Sequence, residues 1–180
     1  MFLFVYGTLR RGFNNKNSEK LNSLSKWMGK AIVPNAKLYY IKGDEFDYPA
    51  MVLNYNDNRD NDGNEIKKTC SNTSVIGDVF QLLDPESTFV WLDEYEECGP
   101  ESPKPTEYLR KQIKVKLVED ENGMKIDENC WISVNTYIWN WPVENENGDL
   151  IAPVVECIES GDWVGKSNKI WIPGHFRLGY

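Results

Sequence analysis

The stretch FLFVYGTLRRGF, Phe2–Phe13, opens with a short apolar run that passes directly into Gly7, and a second glycine follows five positions later. A short apolar run ended by glycine is typical of a buried strand, so we predict a strand over Phe2–Tyr6. A glycine turn behind such a strand exposes backbone N–H groups in a concave array, which suits a carboxylate or a phosphate. The simpler alternative is a plain turn with Arg10 and Arg11 in water.

The spacing of the two glycines equals that of a nucleotide-binding P-loop, but the residues after them differ. A P-loop needs Lys followed by Ser or Thr directly after its second glycine. Phe13 and Asn14 occupy those positions, so the phosphate-binding ammonium and the magnesium ligand are missing. The G-x-G spacing of dinucleotide-binding folds is absent as well. We therefore expect neither a nucleotide nor any other cofactor.

Length, charge and hydropathy exclude several classes of protein. The 180 residues, 41% of them hydrophobic, suffice for one domain with a real core, and we predict a single domain over 1–180. A net charge of −8 speaks against nucleic acid and anionic membranes as partners. No apolar run approaches the roughly 20 residues of a membrane span. The four cysteines lack zinc spacing, and the first residues lack a secretory signal, so we expect a reduced, cytosolic protein.

The pattern of apolar and turn residues predicts a mixed α+β domain built around a curved sheet or a small barrel. A weaker helical period covers Ser18–Trp27. The most polar stretch, 54–74, is predicted to be a long solvated loop, and the last forty residues read as irregular coil. Further strands are predicted over Ala31–Ile41, Met51–Tyr55, Val75–Leu83, Gln112–Val118 and Trp131–Trp139.

The clearest helix is predicted in DPESTFVWLDEYEECGP, with Asp84 as N-cap and Pro85 at its first position. Gly99 and the proline after it would end the helix. On a helical wheel of about 100° per residue, one apolar arc is formed by Phe89, Trp91, Leu92 and Tyr95. Glu96 falls inside that arc. The other acids of the last two turns, Asp93, Glu94 and Glu97, fall off it.

Glu96 is therefore the acid that periodicity places beside the core. Burial of a carboxylate is costly and raises its pKa toward neutrality. A carboxyl of that kind suits general acid and base catalysis. The alternative is that Glu96 lies at the edge of the arc and reaches water like its neighbours.

Other candidate site residues are weaker. His175 is the single histidine, which excludes a two-histidine metal site, and we expect it to be a surface or packing residue. Asp44, Glu45 and Asp47 cluster beside Tyr48, but they lack the alternating spacing of calcium ligands, so a solvated loop explains them better. We expect no metal site.

Several short motifs occur in an order that resembles the gamma-glutamylcyclotransferase-like superfamily, in particular its branch of gamma-glutamylamine cyclotransferases and avirulence-induced-gene-like proteins. The glycine loop is similar to the signature loop of that family. The long 54–74 segment and the extended tail depart from the pattern and bear on access and substrate choice. The motifs are VYGTLRRGF at Val5–Phe13, YPAMV at Tyr48–Val52, VIGDVF at Val75–Phe80, LDEYEEC at Leu92–Cys98, YLR at Tyr108–Arg110 and SGDW at Ser160–Trp163.

The resemblance implies a small twisted mixed barrel with flanking helices, and it implies a role for each matched residue. The catalytic glutamate of the family corresponds to Glu96, the residue that the wheel also indicates. Arg110 would pair with an acid. The residues expected to bind substrate are Tyr6, Gly7, Thr8 and Leu9, by their backbone at the α-carboxylate, and Tyr48 and Tyr108, as pocket lining.

The reaction implied is intramolecular. The α-amine of a gamma-glutamyl compound attacks its own γ-carbonyl, which closes 5-oxoproline and releases an amine or amino acid. The loop would position the substrate and Glu96 would move protons, with Arg10 or Arg11 supplying a local positive field. Two alternatives stay open: a non-catalytic ligand-binding or interaction module on the same fold, and a related enzyme that acts on another acyl substrate. The sequence indicates neither the leaving group nor the oligomeric state.

Overall fold

The structure, a computed structural model, describes residues 1–44, 46–53, 74–126 and 129–164. The polar segment of 54–74 (except Ser74), Glu45 and His175 lie outside the described residues. In chain order the elements are β1 (Phe2–Val5), α1 (Lys16–Ser23), β2 (Ser25–Pro34), β3 (Ala36–Ile41), β4 (Tyr48–Leu53), β5 (Ser74–Leu82), α2 (Pro85–Tyr95), β6 (Tyr108–Asp120), β7 (Trp131–Trp139) and β8 (Val154–Cys157).

A closed barrel forms in the strand order β1-β5-β2-β6-β7. Its neighbours pair antiparallel, except that β1 meets β7 in parallel at Leu3 and Asn135 and so closes the barrel. Gly77 allows β5 to cross β1 closely, because a Cβ at this position would lie 2.4 Å from the carbonyl oxygen of Val5. The predicted small mixed barrel with flanking helices is confirmed.

A second sheet of three strands, in the order β4-β3-β8, stands beside the barrel. Pro49 lies within β4 and pairs with Tyr40. Proline has no N–H to donate, and β4 tolerates it because β4 is an edge strand. Strand β8 pairs with β3, so the expectation of irregular coil throughout the last forty residues is wrong for Val154–Cys157. A four-residue strand whose partner lies over a hundred positions earlier leaves little local signal.

Two of the predicted boundaries are wrong near the first helix. Helix α1 begins after Asn15, whose side chain accepts the amide of Ser18, and ends at Ser23. Trp27 therefore lies in β2, where it pairs with Phe80. The predicted strand Ala31–Ile41 is divided between β2 and β3 at Asn35, which has a φ of 54° and turns the chain.

Helix α2 begins as predicted, because the Asp84 side chain accepts the amide of Ser87 at 3.3 Å and Pro85 occupies the first turn. It ends at Tyr95 rather than Cys98, so Glu96 is the C-cap and not a residue of the helical face. Within the described residues, neither helix has the length and apolar character that crossing a bilayer requires.

The cysteines depart in part from the expectation of a fully reduced chain. Cys98 and Cys130 are free thiols, but Cys157, at the end of β8, is disulfide-bonded. The assignment of residues 1–180 to one domain stays a prediction.

Candidate functional site

The glycine loop that follows β1 is held by its neighbours and leaves its own amides open. The amide of Arg10 donates to the Gly7 carbonyl oxygen at 3.1 Å, and the Asn15 side-chain amide donates to the Thr8 carbonyl oxygen at 2.7 Å. Among the described residues, no acceptor is found for the amides of Gly7, Thr8 and Leu9. Open amides in a tight turn are a ready site for an anion.

Gly7 is required by a close approach between this loop and β4. A Cβ at Gly7 would lie 2.8 Å from Cγ of Pro49, which is closer than side chains tolerate. The loop therefore rests directly on the start of β4, next to Tyr48. This contact brings the VYGTL and YPAMV motifs together, although about forty residues separate them in the chain.

Arg10 does not lie in water, so the simpler alternative is wrong for this residue, and its charge is already paired, which leaves Arg11 as the candidate for a local positive field. Arg10 is only 4% exposed, and its Nε and Nη1 atoms bond Asp78 at 3.2 Å and Asp162 at 2.5 Å. Two acids more than neutralise its charge. Arg11 is exposed as the simpler alternative predicted, with its guanidinium 4.3 Å from the ring centre of Trp27.

A turn at the end of α2 sets the position of Glu96. The amide of Glu96 donates to the Leu92 carbonyl oxygen at 2.9 Å, which completes the last helical turn. Glu97 then adopts a φ of 51°, and the amides of Cys98 and Gly99 both donate to the carbonyl oxygen of Asp93. A left-handed residue closing the last turn is a common helix ending.

The carboxyl of Glu96 is desolvated and has no partner among the described residues. Burial first, and the negative charge of Asp93 second, raise its pKa from the ordinary 4.5 to about 8. In the part of the chain that the structure describes, no hydrogen-bond donor and no cation is assigned to this carboxylate. An acid in this state exchanges protons near neutral pH.

Four tyrosines lie around Glu96. Burial is the main cause that raises the pKa of each hydroxyl, and the charge of Glu96 raises each pKa further. Such a shared effect means that the carboxylate is close to all four rings. The four are Tyr6, Tyr95, Tyr108 and Tyr137.

Two of these tyrosines connect Glu96 to the glycine loop. Tyr6 immediately precedes Gly7, is buried, and donates its hydroxyl to the Tyr137 carbonyl oxygen at 2.8 Å. Tyr95 lies at the rim, 39% exposed, and its hydroxyl shares a hydrogen bond of 3.2 Å with the Thr8 hydroxyl. These two tyrosines therefore link the open amides to the Glu96 carboxylate.

The other expected pocket residues are placed as follows. Tyr108 donates its hydroxyl to the Pro49 carbonyl oxygen at 2.8 Å, which fixes its ring beside Glu96. Tyr48 stands one ring further out, 6.4 Å from Tyr108 between centroids, and donates to Glu107 at 3.2 Å. The side chain of Leu9 is buried in the core, so only its backbone is available to a ligand.

Sequence reasoning missed Asp93 and Tyr137. The wheel put Asp93 away from the core, yet its carboxylate accepts the Tyr137 hydroxyl at 2.7 Å and pairs with Arg110 at 3.4 Å. Asp93 is thus the acid partner that the resemblance implied for Arg110. A tyrosine in a buried strand needs a partner for its hydroxyl. This rule could have indicated from the sequence that Tyr137 has a polar partner.

Metal ligation has no structural counterpart in the described part of the chain. Within residues 1–44, 46–53, 74–126 and 129–164, no group of three His, Cys, Asp or Glu side chains could hold an ion. Asp47, from the acidic cluster, accepts the hydroxyl of Tyr40 and pairs with Lys42 at 3.3 Å. Those contacts join Asp47 to the sheet rather than to a ligand.

Comparison with known proteins gives a family and a fold. The family model described as gamma-glutamyl cyclotransferase, AIG2-like, matches residues 3–165. No curated protein matches. Among solved structures, an AIG2-like protein from Mus musculus is similar at 21% identity with a TM-score of 0.50, over 76% of this chain and 75% of that one. YkqA from Bacillus subtilis is similar at 21% identity and a TM-score of 0.50, over 93% of this chain and 43% of its own.

Proposed function

The chain belongs to the gamma-glutamyl cyclotransferase, AIG2-like family, and from that premise we propose that it is a cofactor-independent gamma-glutamyl cyclotransferase with Glu96 as its proton-transfer group. The observation that carries the proposal is the unpaired Glu96 carboxyl, with a pKa of about 8, in the same site as the open amides of Gly7–Leu9. One feature suits an α-carboxylate, the other an α-amine.

The first task of such an enzyme is to fold the substrate into the cyclising shape. The amides of Gly7, Thr8 and Leu9 would hold the α-carboxylate, and Tyr6 and Tyr108 would confine the chain beside it. Positioning of this kind supplies several kcal/mol, up to roughly 7–11 in ideal cases.

The second task is proton transfer. Glu96 takes a proton from the α-ammonium, and the freed amine attacks the γ-carbonyl carbon so that a C–N bond closes the lactam. Glu96 then gives its proton to the leaving nitrogen as the old C–N bond breaks. The ring nitrogen loses its remaining extra proton to water, and the released amine takes one up. Because the pKa of Glu96 is raised to about 8, its carboxylate is a stronger base than an ordinary one, and proton transfer from the ammonium costs less than it would to an ordinary carboxylate.

The proposed product is 5-oxoproline, with release of a free amine or amino acid. The substrate class is therefore a small gamma-glutamyl conjugate. The desolvated carboxyl is the specific support for catalysis, since an inert binding module on the same fold has no need of an unpaired acid that is costly to bury.

The test is release of 5-oxoproline from a panel of gamma-glutamyl amines and dipeptides, measured for the wild type, Glu96→Gln and Glu94→Gln. Glu94 lies two positions before Glu96, is exposed, and serves as the matched control. We expect Glu96→Gln to lose about 10²–10⁴-fold in rate while remaining folded, and Glu94→Gln to stay near the wild type. Ordinary turnover by Glu96→Gln would refute its role, and an inactive wild type would favour the binding module.

A further inference from the structure

The SGDW motif, Ser160–Trp163, has no part in the mechanism above, yet the fold holds it rigidly. Gly161 has a φ of 64°, and its carbonyl oxygen accepts the amide of Ile76 in β5 at 2.8 Å. Trp163 is buried, with its ring centre 5.8 Å from that of Tyr40. Anchors on both sides therefore fix the residue between them, Asp162.

Asp162 meets the glycine loop through Arg10. One carboxylate oxygen of Asp162 accepts Nη1 of Arg10 at 2.5 Å and also the amide of Val164 at 2.9 Å. On the other side, Asp78 of β5 accepts both Nε of Arg10 and the amide of Arg11. A single guanidinium thus joins the glycine loop, β5 and the SGDW turn.

Arg10, Asp78 and Asp162 form a clamp that acts directly on the open amides. The amide of Arg10 donates to the Gly7 carbonyl oxygen and closes the turn. The position of Arg10 therefore determines the backbone conformation of Gly7–Leu9. The planar guanidinium carries its donors in a fixed fork, and two acids held by separate segments define its position and orientation. A loop fixed before the ligand arrives loses less entropy on binding it.

We propose that Asp162 is a positioning residue which, through Arg10, holds the amides of Gly7–Leu9 in the geometry that binds the substrate α-carboxylate. The inference rests on the proposed function, because it assigns the purpose of the same loop. It also gives the SGDW motif a role, although 152 positions separate Asp162 from Arg10.

The two acids of the clamp differ in what their removal does. The Asp78 side chain is 3% exposed, so its loss leaves a buried guanidinium poorly compensated. The Asp162 side chain is 32% exposed, and without it Arg10 keeps Asp78. Asp162→Asn is accordingly the variant that loosens the loop and spares the fold.

The experiment compares the wild type, Asp162→Asn and Glu119→Gln in 5-oxoproline release. Glu119 is the matched control: its side chain is 31% exposed and it pairs with Lys30 at 2.8 Å in the barrel wall. Loss of a contact made equally in the ground and transition states raises KM and leaves kcat alone. We expect KM of Asp162→Asn to rise roughly tenfold with kcat within about twofold, and neither to change in the control.

Calorimetric titration with L-glutamate provides a readout independent of turnover. We expect its affinity to fall by a similar factor, roughly tenfold, in Asp162→Asn and to be unchanged in Glu119→Gln. Unchanged KM and unchanged glutamate affinity in a folded Asp162→Asn would overturn the inference while leaving cyclotransfer intact. An equal loss of kcat and kcat/KM would overturn it too, because it would indicate a transition-state role.

The two proposals fail in different ways. A wild type that binds glutamate but releases no 5-oxoproline defeats the proposed function, and the titration of Asp162→Asn then decides the clamp. A wild type that neither turns over nor binds glutamate defeats both. A wild type that turns over without measurable glutamate binding leaves the KM comparison to decide.

Discussion

Asp78, behind the glycine loop, and Glu96, at the end of α2, are two acids that the fold withdraws from solvent, Asp78 almost completely and Glu96 in part, and their surroundings are opposite. Asp78 accepts a guanidinium and a backbone amide, and is 2% exposed. Glu96 has no donor or cation among the described residues, and a second acid, Asp93, stands close by. The paired acid holds a loop in place, whereas the unpaired acid is available to exchange a proton.

The difference shows that burial alone does not identify a reactive acid. Burial with compensating donors makes a carboxylate structural, because fixed partners stabilise its charged form. Burial without such donors destabilises the charged form, so the pKa rises and the carboxyl keeps its proton to higher pH. The following experiments test the two sides of this contrast, beginning with the largest effect.

Removal of the charge behind the loop should destabilise the protein most. Asp78→Asn leaves Arg10 buried with one partner, and we expect the free energy of unfolding to fall by about 3–5 kcal/mol. Urea denaturation followed by tryptophan fluorescence measures the change. Glu119→Gln, on the barrel surface, should cost no more than about 1 kcal/mol. Equal stability of the two variants would show that the clamp is not a buried ion pair in energetic terms.

Removal of the Glu96 charge at the end of α2 should raise the free energy of unfolding at high pH, whereas removal of the Asp78 charge lowers it. Because the pKa of Glu96 is about 8 in the folded state against an ordinary 4.5, the folded state holds this proton more tightly. Wild-type stability therefore declines as pH rises from about 4.5 to about 8, and Glu96→Gln avoids that decline. Since the residue is partly exposed, we expect a gain of roughly 2 kcal/mol at pH 9.

Thermal denaturation at several pH values checks this prediction. The difference in Tm between Glu96→Gln and the wild type should be large at pH 9 and shrink toward pH 5. A difference that is constant with pH would mean that Glu96 titrates normally. The exposed variant Glu94→Gln should show no such trend.

The smallest expected effect concerns Asp93, the charge that opposes ionisation of Glu96. Asp93→Asn keeps an acceptor for the Tyr137 hydroxyl but removes the negative charge, so the pKa of Glu96 falls. The lower limb of the profile of kcat/KM against pH should move to lower pH by up to about one unit. A midpoint that stays in place or rises would contradict the electrostatic role of Asp93.

Local signals predicted a large part of the fold correctly. The glycine at the end of β1, the Asp84 cap with Pro85, and the apolar run of β7 depend on neighbours within a few residues, and those elements begin where expected. Errors arise where partners are distant. The pairing of β8 with β3 joins residues more than a hundred positions apart, and the sequence around Val154–Cys157 carries no comparable cue.

Glu96 was selected on a helical wheel that assumed too long a helix. The wheel assumed a helix to Cys98, but the helix ends at Tyr95 and the turn at Glu97 follows directly. Glu96 still completes the last hydrogen-bonded turn, so its angular position stays close to the helical one. Asp93 was misplaced because its partners, Tyr137 and Arg110, come from two strands of the barrel wall.

The sequence by itself determined the helix caps, the strand that leads into the glycine loop, the family resemblance and the identity of the candidate acid, because each depends on residue type at short spacing. The tertiary structure alone decided that Arg10 is neutralised by Asp78 and Asp162, and that Glu96 has no cation beside it among the residues that the structure describes. The physical reason is that the energy of a charge depends on the solvent and partners around it, and distant parts of the chain supply both.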